Sequence, residues 1–374
     1  MSEKIRVIQV SSDTNIGGAG KCILTYLAHR SKSDFEVAAA VPEGSLLTPL
    51  ISELGVPVFE VDAMRDKSFD MAAVKKLLEI FKKFKPDIVH AHASMSARIA
   101  ARIYGAKVVY TRHSVFPPSK RLTRFPGKML SGLANNSTAD RIIAVADAAK
   151  DNITAIGVSE KKISVILNGV EPLRQYSQSE IKDVKSDFGI PDGVPCITIC
   201  ARLTEVKGHK YFVDAAKILK DSGTDARFLI AGTGGGAENL RRQITSLGLD
   251  GYVKLLGFLN DVEPLMNITD IQANCSFGTE ATSLALLEGM SLGKPAVVTD
   301  FGGNPGVIRD GINGFVVPTH SAEALAEKLK MLLNDSALYK RMCENSLEIF
   351  KQTFTAEKYA ENIEKIYHEL GGKK

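Results

Sequence analysis

Residues 272–318 read QANCSFGTEATSLALLEGMSLGKPAVVTDFGGNPGVIRDGINGFVVP. The stretch reads as a short apolar strand, a turn, a helix, a second strand and a glycine-rich loop. Glu280 falls at the turn, and Glu288 is expected two helical turns further in, roughly 12 Å along the axis. A helix N-terminus gathers unpaired N–H groups and partial positive charge, which makes it a natural anion site. A carboxylate on either side of such a site suits a ligand with phosphate in the middle and hydroxyls at both ends. A nucleotide-sugar has that form.

The same strand-then-helix step recurs along the chain. Strand-like runs are expected at 5–11, 35–41, 56–61, 87–92, 107–112, 141–146 and 163–168, with helical patterns between them such as FDMAAVKKLLEIFKKF at 69–84. Continuous apolar strands alternating with helices imply a parallel sheet covered on both faces, with ligands at the carboxyl ends of its strands. Residues 171–195 turn polar and carry prolines and glycines, as a connection with a lead-in helix would. A second series follows at 196–203, 226–234, 253–258, 270–276, 295–300 and 314–318. Helices at about 321–334, 335–351 and 355–371 close the chain. The last is amphipathic, with Tyr359, Ile363, Ile366, Tyr367 and Leu370 along one side. The fold class is therefore α/β, with two doubly wound Rossmann-like domains expected to face each other across a cleft.

Composition agrees with that size and class. The chain has 374 residues, 44% hydrophobic and 24% charged, too long for one ordinary core. No apolar run is long enough to span a bilayer, and the N-terminus enters a strand without a signal-peptide pattern. The five cysteines form no CxxC pair and read as buried thiols of a reducing cytoplasm, with no metal site indicated. Residues 1–170 carry 24 Lys/Arg against 16 Asp/Glu, while the whole chain is only +4. An excess of positive charge in the first half fits either an anionic partner or a plain solvated surface.

Several short motifs sit where strands end. Gly17 and Gly18 lie in SSDTNIGGAGK, either to let a phosphate or sugar oxygen reach the backbone or merely to turn the chain. Gly232 lies in AGTGGGAENL, which approaches a dinucleotide fingerprint but lacks the acidic residue at the end of the next strand. Arg202 and Lys207, in ARLTEVKG, suit a diphosphate or form a solvated basic loop. His113 ends the strand KVVYTR in a position to bond a substrate or phosphate, while His90 and His92 are expected to support the loop. Residues 112–128 carry Arg112, Lys120, Arg121, Arg124 and Lys128 with Phe116 and Phe125, and no acid. Such a segment could touch anionic lipid or a lipid-linked phosphate acceptor, or move freely in solvent. No nucleic-acid module accompanies it.

Assembled, these residues resemble the family 4 glycosyltransferases, whose two Rossmann-like domains form the GT-B fold. The resemblance rests on GGAG at 17–20, DIVHAH at 87–92, the histidine of TRHS, LNGV at 167–170, ARLTEVKG at 201–208 and AGTG at 231–234. It continues through the E-x7-E pair with LLEGMSLGKPAVVTD, then GGNPGVI and DGINGFVVP. It implies an acceptor-binding domain of residues 1–170 plus 355–374, whose last helix returns to it, and a nucleotide-sugar-binding domain of 171–354. It implies that Glu288 binds the nucleotide's ribose, that Glu280 holds donor-sugar hydroxyls, and that Thr282, Ser283 and Leu284 offer amides to the distal phosphate or sugar. Arg202 and Lys207 would hold the diphosphate, with Gly17 and Gly18 approaching it. Gly232, Gly257 and Phe258 would border the nucleotide, and His113 the transferred sugar. Catalytic roles would fall to His113, Glu280, Arg202 and Lys207.

The family retains anomeric configuration and uses no catalytic metal, so no cofactor is expected. A UDP-sugar donor is favoured, with a carbohydrate or lipid-linked acceptor, in cell-surface polysaccharide or glycolipid synthesis. A cytoplasmic location is expected, either free or peripheral to the inner face of the membrane. The chain reads Glu280-Ala-Thr-Ser-Leu where relatives often have E-G-F-G-L, and Gly306 where many have glutamate; both departures bear on the donor. Two other readings use most of the same residues: a nucleotide-sugar epimerase or hydrolase, and a non-catalytic nucleotide-sugar-binding protein. Donor consumption with and without an acceptor separates the three.

Overall fold

The computed structural model describes residues 4–371, which form two α/β units. In the first, seven strands run β1 (Ile5–Ser11), β2 (Phe35–Pro42), β3 (Val58–Val61), β4 (Ile88–His92), β5 (Lys107–Arg112), β6 (Arg141–Ala144) and β7 (Ile163–Val165). In the second, six follow: β8 (Cys196–Cys200), β9 (Arg227–Ala231), β10 (Val253–Gly257), β11 (Ile271–Asn274), β12 (Ala296–Thr299) and β13 (Gly314–Val317). Every pairing between them is parallel. The sheet orders are β3-β2-β1-β4-β5-β6-β7 and β10-β9-β8-β11-β12-β13.

Both orders reverse direction once, between β1 and β4 in the first sheet and between β8 and β11 in the second. In an open parallel sheet the loops on either side of that reversal diverge and leave a crevice at the carboxyl ends of the strands. The central strands are what the sequence makes most apolar: Val7, Ile8, Val10, Ile88, Val89 and Ala91 are wholly buried. In the second unit Ile197, Phe212, Phe228, Ile271, Val297 and Leu329 form the equivalent core.

Amphipathic helices such as Met71–Phe84 cover the sheets with an apolar face. Helix Met71–Phe84 starts at Asp70, whose side chain accepts from the Ala72 N–H, and buries Val74, Leu77, Phe81 and Phe84 while its lysines stay in water. The closing helix Ala356–Gly371 belongs to the first unit. Its Tyr367 ring packs edge-on against Tyr26 and Phe35, each 5.7 Å away between centroids, and its Glu364 accepts from the Ser31 N–H. The dividing point falls between Thr355 and Ala356, one residue beyond the sequence boundary. Ala356 is where the chain rejoins the first unit, its N–H donating to the Val170 carbonyl.

Several strands are shorter than their apolar runs. The run at 196–203 pairs only to Cys200, 226–234 only to Ala231, and 163–168 only to Val165. Beyond those residues the chain leaves the ladder while its side chains stay buried, as Leu203 and Ile166 do. All five cysteines are free. Burial pushes the thiols of Cys22, Cys196 and Cys275 up to about 12, so they remain neutral core residues. No helix among the described residues is long and apolar enough to cross a membrane.

Candidate functional site

In the second unit the chain leaving β11 folds around one carboxylate. Oε2 of Glu280 accepts from Lys207 Nζ (2.8 Å), Asn274 Nδ2 (2.9 Å) and Ser276 Oγ (2.9 Å). The Lys207 and Glu280 side chains are only 14% and 8% exposed, so the pair is shielded from the solvent that weakens surface ion pairs. Lys207 gives a second hydrogen to the Thr279 carbonyl (2.9 Å), which leaves one of its three N–H bonds for a ligand.

Backbone contacts lock these groups together. Gly208, in the left-handed region at φ 69°, lets the lysine loop lie against β11: a Cβ there would stand 2.0 Å from the Cys275 carbonyl oxygen. The Phe277 N–H then donates to the Val206 carbonyl. On the far side Gly302, at φ 61°, passes so close to the Glu280 carbonyl that a Cβ would be 2.1 Å from it, and Gly303 donates to that same oxygen.

Helix Leu284–Ser291 begins four residues after Glu280, not at it, with the Ser283 hydroxyl accepting from the Leu286 N–H. The two glutamates therefore do not bracket two full turns of helix. Glu280 is held down on the sheet by its three donors, and the non-helical Ala281–Ser283 segment separates it from the helix. Glu288 lies one turn in, about 6 Å along the axis from Leu284, and is half-buried. Thr282 is buried. Arg202, just past β8, is exposed. Across the loops the Gly232 N–H donates to the Gly257 carbonyl (2.7 Å), and Phe258 beside it is 70% exposed. Arg202, Lys207 and Glu280 thus follow β8 and β11, the two strands that flank the reversal of this sheet, while Gly232 follows β9, Gly257 ends β10 and Phe258 comes next.

The first unit carries its own cluster at the β1/β4 reversal. His113 Nε2 lies 2.8 Å from His92 Nδ1, and His92 Nε2 lies 2.8 Å from Gln9 Oε1. Gln9 Nε2 donates to the Tyr367 hydroxyl (2.8 Å), which meets His90 Nδ1 (2.5 Å), and His90 Nε2 meets Thr111 Oγ1 (2.6 Å). The rings of His90 and His92 stack, as do those of His92 and His113. His92 therefore supports His113, the first residue of the loop after β5, and His90 supports the closing helix through Tyr367. Burial, with the neighbouring imidazole of His113 adding to it, pushes His90 down to about 3. Burial first, then His90 and His113, hold His92 well below its ordinary range, and burial takes His113 down to about 4. All three rings are neutral near pH 7.

Gly17 and Gly18 open the helix Gly18–His29 and are exposed. Neither has a positive φ, and a Cβ on either would meet nothing within 4 Å. The turn itself does not require glycine at these positions, which removes the purely conformational explanation for them. The basic segment forms two helices, Lys120–Thr123 and Gly127–Thr138. Phe116, Leu122, Phe125, Met129, Leu130 and Leu133 are exposed among its cations, Phe125 by 82%. A groove of about 540 Å³ runs between Phe125, Met129, Leu133 and Gly157.

The sequence does not single out Asn274, Ser276 or Gln9, and it marks Tyr367 only as part of the apolar side of the last helix. Their signal is positional: Asn274 and Ser276 sit at the carboxyl end of a central strand, and Gln9 is a polar residue inside an otherwise apolar one. Tyr367 shows no such sign, because its hydroxyl meets the cluster only through the fold.

The buried imidazoles give a pH dependence. Above about pH 6.5 folded and unfolded chains both carry neutral rings. Below it the unfolded chain takes up protons that the folded one refuses, so stability falls as the pH falls towards the folded values of about 3 for His90 and about 4 for His113, by up to ~1.4 kcal/mol per pH unit for each of the two, and His92 acts in the same direction. Melting at pH 7.5 and 5.5 should show that loss, and His90→Gln should flatten the slope; an unchanged slope in the variant contradicts the assignment.

Two family models match the chain: "Glycosyltransferase Family 4" over residues 16–174 and "Glycosyl transferases group 1" over 180–348. Among curated relatives, the UDP-Gal:alpha-D-GlcNAc-diphosphoundecaprenol alpha-1,3-galactosyltransferase of Escherichia coli is 28% identical, covering 98% of this chain and 97% of that one. The N-acetyl-alpha-D-glucosaminyl L-malate synthase of Bacillus anthracis is 24% identical over 84% and 83%. Among solved structures, a glycosyltransferase from Rickettsia africae superposes with a TM-score of 0.84 at 24% identity, covering 99% of both chains. Anabaena HepE in complex with UDP gives 0.85 at 21%, covering 98% of this chain and all of that one. At these identities the superpositions show a shared fold, the two-domain GT-B architecture. With the two models together spanning most of its length, the chain belongs to the family 4 glycosyltransferases.

Proposed function

We propose that this glycosyltransferase moves a sugar from a UDP-sugar to a carbohydrate or lipid-linked acceptor, with retention of anomeric configuration and without a metal ion. The observation that carries the reading is the Glu280 carboxylate, held by Lys207, Asn274 and Ser276 just before the helix that bears Glu288. In this reading Glu280 accepts from hydroxyls of the donor sugar, and Glu288 accepts from the ribose. Gly232, Gly257 and Phe258 border the base, and the amides of Thr282, Ser283 and Leu284 face the distal phosphate.

The charge balance refines the role of Lys207. Its ammonium is matched by Glu280, so it brings the departing diphosphate a hydrogen bond more than a net charge. The net positive charge comes from Arg202, with help from the start of helix Leu284–Ser291. A carboxylate oxygen that already accepts three hydrogen bonds is a poor nucleophile. That favours attack on the face from which the diphosphate leaves, without a covalent intermediate on Glu280. Support for a UDP-sugar comes from relatives: the Escherichia coli enzyme is named for UDP-Gal, and HepE has been solved with UDP-glucose. The same Escherichia coli name supplies the precedent for a diphosphoundecaprenol-linked acceptor.

The basic, apolar surface of Lys120–Thr138 fits such an acceptor. Cations beside exposed Phe116, Phe125, Met129 and Leu133 match anionic headgroups above acyl chains. In this reading the first unit rests on the inner membrane face.

Calorimetry should show UDP binding to the wild type and a 10- to 100-fold weaker binding to Glu288→Ala, from roughly 1.5–3 kcal/mol for hydrogen bonds to a charged group. Equal affinities would remove Glu288 from the ribose. Incubation with UDP-sugars and a lipid-diphosphate-linked saccharide should release UDP and form an axial or equatorial bond matching the donor's; inversion in the product would overturn retention. Vesicles containing anionic lipid should pellet the wild type, and neutralising Lys120, Arg121 and Arg124 should weaken that partition roughly a hundredfold at about 1 kcal/mol per charge. Equal pelleting would remove the membrane contact.

A further inference from the structure

The cluster behind His113 is a closed sequence of donors and acceptors, and its direction can be followed atom by atom. Gln9 presents its amide oxygen to His92 Nε2 and its amide nitrogen to the Tyr367 hydroxyl. With the amide in this orientation its oxygen only accepts, so His92 carries its proton on Nε2, and its Nδ1, neutral, is bare. The His113 nitrogen facing that bare Nδ1 must donate, so His113 carries its proton on Nε2. On the other side the Tyr367 hydroxyl, already accepting from Gln9, donates to His90 Nδ1, and His90 Nε2–H donates to Thr111 Oγ1. Each of the five contacts in the row pairs a donor with an acceptor, and the Nδ1 of His113 is left at its end.

We propose that this row, anchored on the closing helix through Tyr367, sets the tautomer of His113 so that its Nδ1 is a hydrogen-bond acceptor reserved for a sugar hydroxyl. Gln9, His92 and Tyr367 are positioning residues in this scheme, and it rests on the reading that His113 lies beside the transferred sugar. A neutral imidazole with a bare Nδ1 accepts from a hydroxyl and repels a phosphate oxygen, which has no hydrogen to give. His113 therefore selects the sugar end of the donor or the acceptor hydroxyl, not the diphosphate.

The alternative, that the histidines are simply buried core groups satisfied by whatever lies near, makes no demand on direction. Tyr26 provides the comparison inside the protein. Its ring packs on that of Tyr367 and is equally buried, yet its hydroxyl has no hydrogen-bond partner.

The test uses the full chain labelled with ¹⁵N-histidine, in which bare and protonated ring nitrogens are distinguished by NMR, and His113 is assigned by loss of its signals in His113→Ala. The wild type should show His113 protonated at Nε2 and bare at Nδ1. Gln9→Leu, and Tyr367→Phe as a variant that keeps the ring packing, should give mixed tautomers and a kcat reduced about tenfold at unchanged donor KM. Tyr26→Phe should match the wild type in both readouts. A proton on Nδ1 of His113 in the wild type, or wild-type tautomer and kcat in Gln9→Leu and Tyr367→Phe, would overturn the proposal. His113→Ala should bind UDP normally but turn over poorly. Full turnover by His113→Ala overturns both the placement of His113 and the scheme built on it. Impaired His113→Ala beside an unchanged Gln9→Leu overturns the scheme alone.

Discussion

Burying the Glu280 carboxylate at the carboxyl end of a parallel sheet requires donors, and three arrive on one oxygen from three different places in the chain. Lys207 comes from the loop after β8, Asn274 from the last residue of β11, and Ser276 from the turn beyond it. An uncompensated buried charge costs several kcal/mol, so these loops are tied to one another by the carboxylate they share. The close approach at Gly208 and the bond from Phe277 to Val206 follow from that arrangement. The site is thus preorganised: its shape does not wait for a ligand to gather the parts.

The first unit solves the same problem with neutral groups. β4 is completely buried and carries two histidines, which a sheet interior tolerates only if every ring nitrogen is satisfied. Gln9 and Tyr367 supply the partners. In both units polar groups that the core must accommodate have been placed at the one spot where a doubly wound sheet opens to ligands. A fully satisfied polar cluster is rigid, and rigidity at that position is what a transferase needs to hold reacting groups in register.

The sheet architecture could be read from the chain because its signals are local. Thirteen apolar runs alternate with helical patterns, and the glycine and proline punctuation between them marks the loops. Strand ends were overrun where buried residues such as Leu203 continue past the ladder, since periodicity reports burial and not pairing. The motif residues Arg202, Lys207, Glu280 and Glu288 stood out by spacing. Their relations did not: the start of the helix at Leu284 depends on Ser283 capping it and on Glu280 being pinned to the sheet, and both depend on long-range contacts. Tyr367 lies 358 residues from Gln9, and no local pattern could have joined them.

Hydrogen exchange of the full chain with and without UDP tests the central claim, that the Glu280 cluster and the helix after it form the nucleotide-sugar site. Slower exchange on adding UDP is predicted for peptides covering 201–208, 256–258 and 280–289. Protection confined to other segments, or none at saturating UDP, would contradict it.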